Sequence, residues 1–166
     1  MKIEFKKNQK GMTLMETIIA LGILIFGIVS SLALMTSSLT YSQSSEQMIV
    51  AVNLAREGLE IVRSVKSLEG FDAVGTGYKI AKIDYLDGAL SLETASNNLI
   101  VECANCVLDL YNGRYLHDSP GDATTFRRML TITNAVAGEK KVISRIYWQE
   151  RGREHQFVLE DHITNW

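Results

Sequence analysis

The chain has 166 residues, 46% of them hydrophobic, and a formal net charge of −2. That is enough for one ordinary core, or for a small domain plus an anchor, and too little for two large domains. Neither charge total is extreme, which removes bulk electrostatics as an argument for nucleic-acid binding, and two cysteines with a single proline, Pro120, exclude a disulfide-dense secreted scaffold.

Charge is unevenly placed. Residues 1–11 hold Lys2, Lys6, Lys7 and Lys10 against Glu4, whereas the remainder carries 13 basic and 18 acidic residues, a charge of −5. Behind the basic start, Thr17 to Met35 reads TIIALGILIFGIVSSLALM, uncharged and almost wholly apolar. As a helix it is roughly 30 Å long, the thickness of a bilayer hydrocarbon core. A helix apolar on every side needs lipid, or a larger protein than this one, to cover it. The lysines should remain cytoplasmic, so everything after Met35 is expected outside. One reading of such a start is a secretory signal cut after Ala33, at Ser31-Leu32-Ala33, which releases a soluble binding protein. In the other the apolar helix is kept, and the basic residues before it are the part removed.

The residues Lys10-Gly11-Met12-Thr13-Leu14-Met15-Glu16-Thr17, with the apolar run behind them, resemble the prepilin leader of type IV pilins and type II secretion pseudopilins. The resemblance implies that residues 1–11 are a leader, that a prepilin peptidase cuts after Gly11, and that the same enzyme methylates the new N-terminus at Met12. Phe is commonest at that position, so Met12 departs mildly from the pattern. Glu16, fifth in the mature chain, matches the family's characteristic glutamate. A carboxylate at the lip of a membrane helix costs a few kcal/mol and calls for a partner. In a filament of bundled helices that partner is the N-terminal amine of a neighbouring subunit, at low dielectric. The implied partners are therefore other pilin subunits, the peptidase, an inner-membrane assembly platform, and lipid before assembly.

Residues 36–45, TSSLTYSQSS, are hydroxyl-rich and uncharged, after which helical periodicity returns in amphipathic form. Met48, Val52, Ala55, Leu59 and Val62 recur at helical spacing and predict the buried stripe. No proline falls between Met12 and Lys66, which predicts one helix over 12–66, with 12–36 in the membrane or filament core and 40–66 amphipathic. This resembles the pilin spine, though without the proline many major pilins carry. Gly22, Gly27 and Ser30-Ser31 are its soft points.

Residues 67–166 read as an exported, β-rich head. Gly70, Gly75, Gly77 and Gly88 punctuate short strands and loops. Asn112-Gly113, between Val107–Tyr111 and Arg114–Leu116, is a strong hairpin signal. Three strands follow, Phe126–Thr133, Lys141–Trp148 and Gln156–Ile163, predicting an antiparallel meander on the helix. In the last, Phe157, Leu159 and Ile163 alternate with Val158, Glu160, His162 and Thr164. The fold class is thus α+β, a long N-terminal helix packed against a small antiparallel sheet.

Chemistry is sparse. Cys103-Ala104-Asn105-Cys106 has the spacing of a redox motif or half a zinc site. His117, His155 and His162 lack the paired spacing that would complete the zinc set, and the cysteines fall between strand-like segments rather than at a helix start. A small disulfide between Cys103 and Cys106 is favoured, with free thiols as the alternative. Asp84, Asp87, Asp118 and Asp122 read as solvated turn residues rather than calcium ligands, since EF-hand spacing is missing. Gly75-Thr76-Gly77 lacks the Lys-Ser/Thr of a phosphate loop, and no protease or hydrolase motif occurs. Arg127, Arg128, Arg145, Arg151 and Arg153 suggest cross-strand ion pairs more than a DNA-binding face. Trp148 and Trp166 are expected to close the core. The expectation is a structural subunit without catalysis or cofactor, more a minor than a major pilin, with a type II secretion pseudopilin as the nearest alternative and the secreted binding protein as a further one.

Overall fold

The computed structural model describes residues 13–165. The expected leader, Gly11, Met12 and Trp166 lie outside the described residues. The elements in chain order are helix α1 (Leu14–Glu69), β1 (Gly77–Ile83), β2 (Leu90–Thr94), a single 3-10 turn (Ala104–Cys106), β3 (Val107–Tyr111), β4 (Arg114–Leu116), β5 (Asp122–Val136), β6 (Glu139–Glu150) and β7 (Arg153–Thr164). The chain divides into two units at Gln43/Ser44.

In the first unit α1 begins at a Thr13 cap. The Thr13 carbonyl accepts the amides of Glu16 and Thr17 at 3.0 and 3.2 Å, and its hydroxyl accepts the Glu16 amide at 3.4 Å, meeting donors that an uncapped helix start leaves open. Every described residue through Gln43 is exposed.

In the second unit, residues 44–69 of α1 lie on a seven-stranded antiparallel sheet. The helix stops at Gly70, whose φ of 96° suits glycine and whose amide caps the Lys66 carbonyl at 2.9 Å. Its buried residues are Ala51, Leu54, Ala55, Gly58, Leu59, Ile61, Val62 and Val65. This corrects the expected stripe: Ala55, Leu59 and Val62 are in it, but Met48 is 40% exposed and Val52 only half-buried. The physical reason is that Ala51 and Gly58, too small to stand out as core residues, let the backbone approach the sheet closely and turn the helix toward themselves.

β5 is the organising strand. β6 runs along one edge of it and β7 pairs with β6, forming the expected meander. The other edge is shared: β1 takes Leu130–Ile132 and β3 takes the Asp122–Arg127 end, with β2 beyond β1 and β4 beyond β3. The sheet is therefore wider than the meander, because the glycine-punctuated region supplies four strands of its own. The β3–β4 turn holds Asn112 at φ 50° and Gly113 at φ 77°, the left-handed pair a two-residue hairpin requires.

Alternation along the strands gives the sheet two covered faces. Ala81, Leu130, Ile132 and Val142 pack with Leu59, Ile61, Val62 and Val65 of the helix, and Phe126, Ile146 and Trp148 pack with Ala51, Leu54 and Ala55. Each fully buried aliphatic side chain there contributes roughly 1.5–3 kcal/mol. Ile80 and Met129, next to Ala81 and Leu130 in their strands, face the opposite side, where Ile100, Cys103 and Cys106 cover them. Lys140 is buried, its Nζ 2.7 Å from the Phe71 carbonyl and 4.3 Å over the Phe71 ring, tying the segment after the helix to β6.

Candidate functional site

The N-terminal half of α1 is the feature that packing within the chain leaves unexplained. Its most apolar 18-residue window has a mean hydropathy of 2.7, with none of that window buried. Leu14, Met15, Phe26 and Leu34 are each more than 70% exposed. An apolar cylinder of this length is covered in water only by lipid or by other helices. The helix is long and apolar enough to cross a membrane.

Five of its hydroxyl groups suit an apolar surrounding. Thr17 Oγ1 donates to the Leu14 carbonyl at 2.7 Å, Ser30 Oγ to Phe26 at 2.8 Å, Thr36 Oγ1 and Ser37 Oγ to Ala33 at 2.9 and 3.0 Å, and Thr40 Oγ1 to Thr36 at 3.0 Å. Such donors bonded back to the preceding turn leave fewer polar groups in need of water. Glu16 stands in the first turn, where the helix N-terminus favours negative charge, and it is the only acidic or basic residue from Thr13 to Ser45.

In the head, Cys103 and Cys106 are joined by a disulfide with Cα atoms 5.3 Å apart. Polar contacts hold the surrounding segment to the sheet. Asn105 Nδ2 donates to the Thr94 carbonyl at 3.1 Å, the Ala104 amide donates to Ser96 Oγ at 2.9 Å, and Arg127 Nη1 donates to the Cys103 carbonyl at 2.7 Å. With both cysteines buried, their sulfurs serve as core.

The three histidines have separate surroundings. His117 is buried with Nδ1 at 3.0 Å from the Val107 carbonyl, so that nitrogen carries the proton. Burial first, and then the nearby Arg128 charge, push its pKa down to about 3. His155 stacks on Trp148 with ring centres 5.4 Å apart. His162 lies between the carboxylates of Glu139 and Glu160, whose hydrogen bonds raise its pKa.

The aspartates are engaged in turns and pairs. Asp84 Oδ1 accepts the Leu86 amide and Asp87 Oδ1 the Ala89 amide, both at 2.8 Å, shaping the β1–β2 turn. Asp118 and Glu93 each lie 3.2 Å from Lys82 Nζ and hold its pKa up. Asp122 opens β5. Among the described residues, no group of three or more His, Cys, Asp or Glu side chains is placed to hold a metal ion.

Arg128 departs from its expected place among surface arginines. Next to Arg127 in β5, it points to the opposite face and is fully buried beneath the helix. Nη2 donates to the Ala81 carbonyl at 2.8 Å, while Nη1 lies 3.1 Å from the Glu57 carboxylate and 3.3 Å from the Leu54 carbonyl. Burial lowers its pKa and Glu57 opposes that shift; the guanidinium remains charged. Only the Arg-Arg pair inside an apolar strand pattern hinted at this in the sequence.

Compared with known protein families, with characterised proteins and with solved structures, the chain matches none.

Proposed function

We propose that the chain is a membrane-anchored structural subunit of a type IV pilin-like filament, more a minor than a major pilin. The observation that carries this reading is an apolar helix exposed from Leu14 through Leu39 whose only charged residue is Glu16, at its start. In this reading residues 1–11 are removed after Gly11 and Met12 becomes the methylated N-terminus. The helix holds the subunit in the cytoplasmic membrane with its head exported. Extraction by the assembly platform then exchanges lipid for the helices of other subunits, and Glu16 meets a neighbour's terminal amine. Both states meet the same physical need, a dry apolar surrounding for the helix with one neutralised carboxylate. The head has a core of its own and turns charged strands outward, which suits a surface-displayed, non-catalytic part. A pseudopilin shares these features and differs in its partners.

Mass spectrometry of the mature chain, expressed with and without a prepilin peptidase, tests the reading. A peptidase-dependent start at Met12 with one added methyl is expected. A start at Leu34 would overturn it in favour of a secreted head.

A further inference from the structure

The contact between the helix and the sheet raises a question of register. On the helix it consists of Ala51, Leu54, Ala55, Gly58, Leu59, Ile61, Val62 and Val65, and Leu130, Ile132, Val142 and Ile146 of the sheet lie beneath it. Attraction between aliphatic surfaces has no direction. The helical residues repeat at three and four, so a slip of one turn sets Ala55 where Leu59 was, or Leu59 where Val62 was. Apolar burial alone distinguishes these registers weakly, and the close approach at Gly58 adds a steric preference, since a slip of four residues sets Leu54 over Ser144.

One buried group does distinguish them. Arg128 rises from β5 and reaches three acceptors at once: the Ala81 carbonyl of β1, and the Leu54 carbonyl and Glu57 carboxylate of the helix. A one-turn slip sets another backbone carbonyl in the place of Leu54's, but it withdraws the Glu57 carboxylate, so the side chain is the acceptor that reports the register. The nearest replacement carboxylate, Glu60, is itself engaged by Arg63 at 3.3 Å, and Arg63 also holds Asp161 of β7 at 2.9 Å. Gly58 makes room for this arrangement, since a Cβ there would lie 3.2 Å from Arg128 Cδ.

We infer that Arg128, with Glu57 and Gly58, is a registry lock that fixes the axial position and rotation of residues 51–65 of the helix on the sheet. Its role is specification rather than net stabilisation: a buried guanidinium paired with a carboxylate that is 35% exposed is weakly stabilising at best, yet displacing the carboxylate leaves the buried charge unpaired. The lock requires no filament and stands whether or not the chain assembles into one.

The test uses the full chain in detergent micelles, with spin labels at Arg56→Cys on the helix and Gln149→Cys on β6, and distances read by pulsed electron resonance. With Arg128 present, one narrow distance is expected. Arg128→Met should keep the β-sheet signal in circular dichroism but add a second distance displaced by about 5 Å, one helical turn. Arg128→Lys, which keeps the charge but not the fork, should broaden the distribution toward the same position. If the Met variant does not fold, the Lys variant decides by the same readout. A single unshifted distance in the folded variants, with only a lower melting temperature, would overturn the inference and make Arg128 an ordinary core residue.

Discussion

Gly58 of the helix sits directly over Ser144 of β6: a Cβ built on the glycine lies 3.0 Å from the serine Oγ, with Leu130 Cδ2 at 3.3 Å. Alanine at an ordinary exposed helical site gains roughly 1 kcal/mol over glycine. Here that gain is opposed by overpacking, typically 1–3 kcal/mol, against atoms that must each yield a few tenths of an ångström. Gly58→Ala is therefore expected to destabilise the head by about 1 kcal/mol, and Gly58→Leu to destabilise it further. Thermal unfolding followed by circular dichroism separates these outcomes. A Gly58→Ala protein that melts higher than the parent would mean that the contact yields freely.

His117 gives the head an acid sensitivity whose sign follows from its depressed pKa. The folded state holds the imidazole neutral down to about pH 3, whereas the unfolded chain takes up a proton near 6.5. Between those values the unfolded state binds more protons, so stability is fully present above about 6.5 and falls as the pH drops toward 3, by a few kcal/mol. Urea titrations at pH 7 and pH 4 should show this loss. His117→Asn, which keeps a donor for the Val107 carbonyl, should flatten the slope in that window. An unchanged slope in the variant would assign the acid sensitivity to the carboxylates instead.

His162 works in the opposite direction. Its pKa is raised by the hydrogen bonds to Glu139 and then Glu160, so its stabilising effect is present below the unfolded value near 6.5 and disappears as the pH rises through the folded value. The side chain is 46% exposed, and solvent keeps the effect small. His162→Gln should remove a shallow decline in melting temperature as the pH rises above about 6.5 while leaving the acid slope in place. If the two histidine variants change the same part of the pH profile, these assignments are wrong.

Much of this architecture is legible in the sequence, and the illegible parts share one cause. The helix follows from a proline-free, periodic run, the β3–β4 hairpin from Asn112-Gly113, and the last three strands from the runs Phe126–Thr133, Lys141–Trp148 and Gln156–Ile163, the last of them alternating. Local pattern does not reveal that β1 and β3 share one edge of β5, because that pairing is between residues far apart in the chain. Nor does it reveal the seat of the helix. Ala51 and Gly58 count for little on a hydropathy scale, yet their small size brings the backbones together, and Arg128 reads as surface until the strand alternation of its neighbours is known. Of the features on which the proposed assembly rests, Glu16 and the apolar run are plain in the sequence, since composition alone makes them conspicuous.

The disulfide closes a very short loop, for which chain entropy contributes about 2 kcal/mol. Its effect should be local, because Cys103 and Cys106 cover Ile80 and Met129 on the face away from the helix. Replacing both cysteines with serine is expected to lower stability by more than that amount, since two hydroxyls then replace sulfur in a buried apolar cluster. Hydrogen exchange should rise over residues 95–106 while staying slow in the 51–65 segment of the helix. Equal loosening of both regions would mean that the two faces of the sheet are one cooperative unit.

Glu16 provides the test specific to assembly. If its role is to neutralise a neighbour's terminal amine, then Glu16→Leu removes a charge that is costly in the membrane and should insert at least as well as the parent. The same change leaves the amine without its partner in the packed filament core, where an uncompensated charge costs several kcal/mol. The expected outcome is a processed, membrane-resident chain whose recovery in sheared surface filaments falls at least tenfold, read by immunoblot of the membrane and sheared fractions. Glu16→Gln, isosteric but uncharged, should fail in the same way, because shape is kept and only the charge is lost. Filaments formed normally by Glu16→Gln would show that the carboxylate acts by shape or not at all, and would remove the electrostatic basis for register in the proposed assembly.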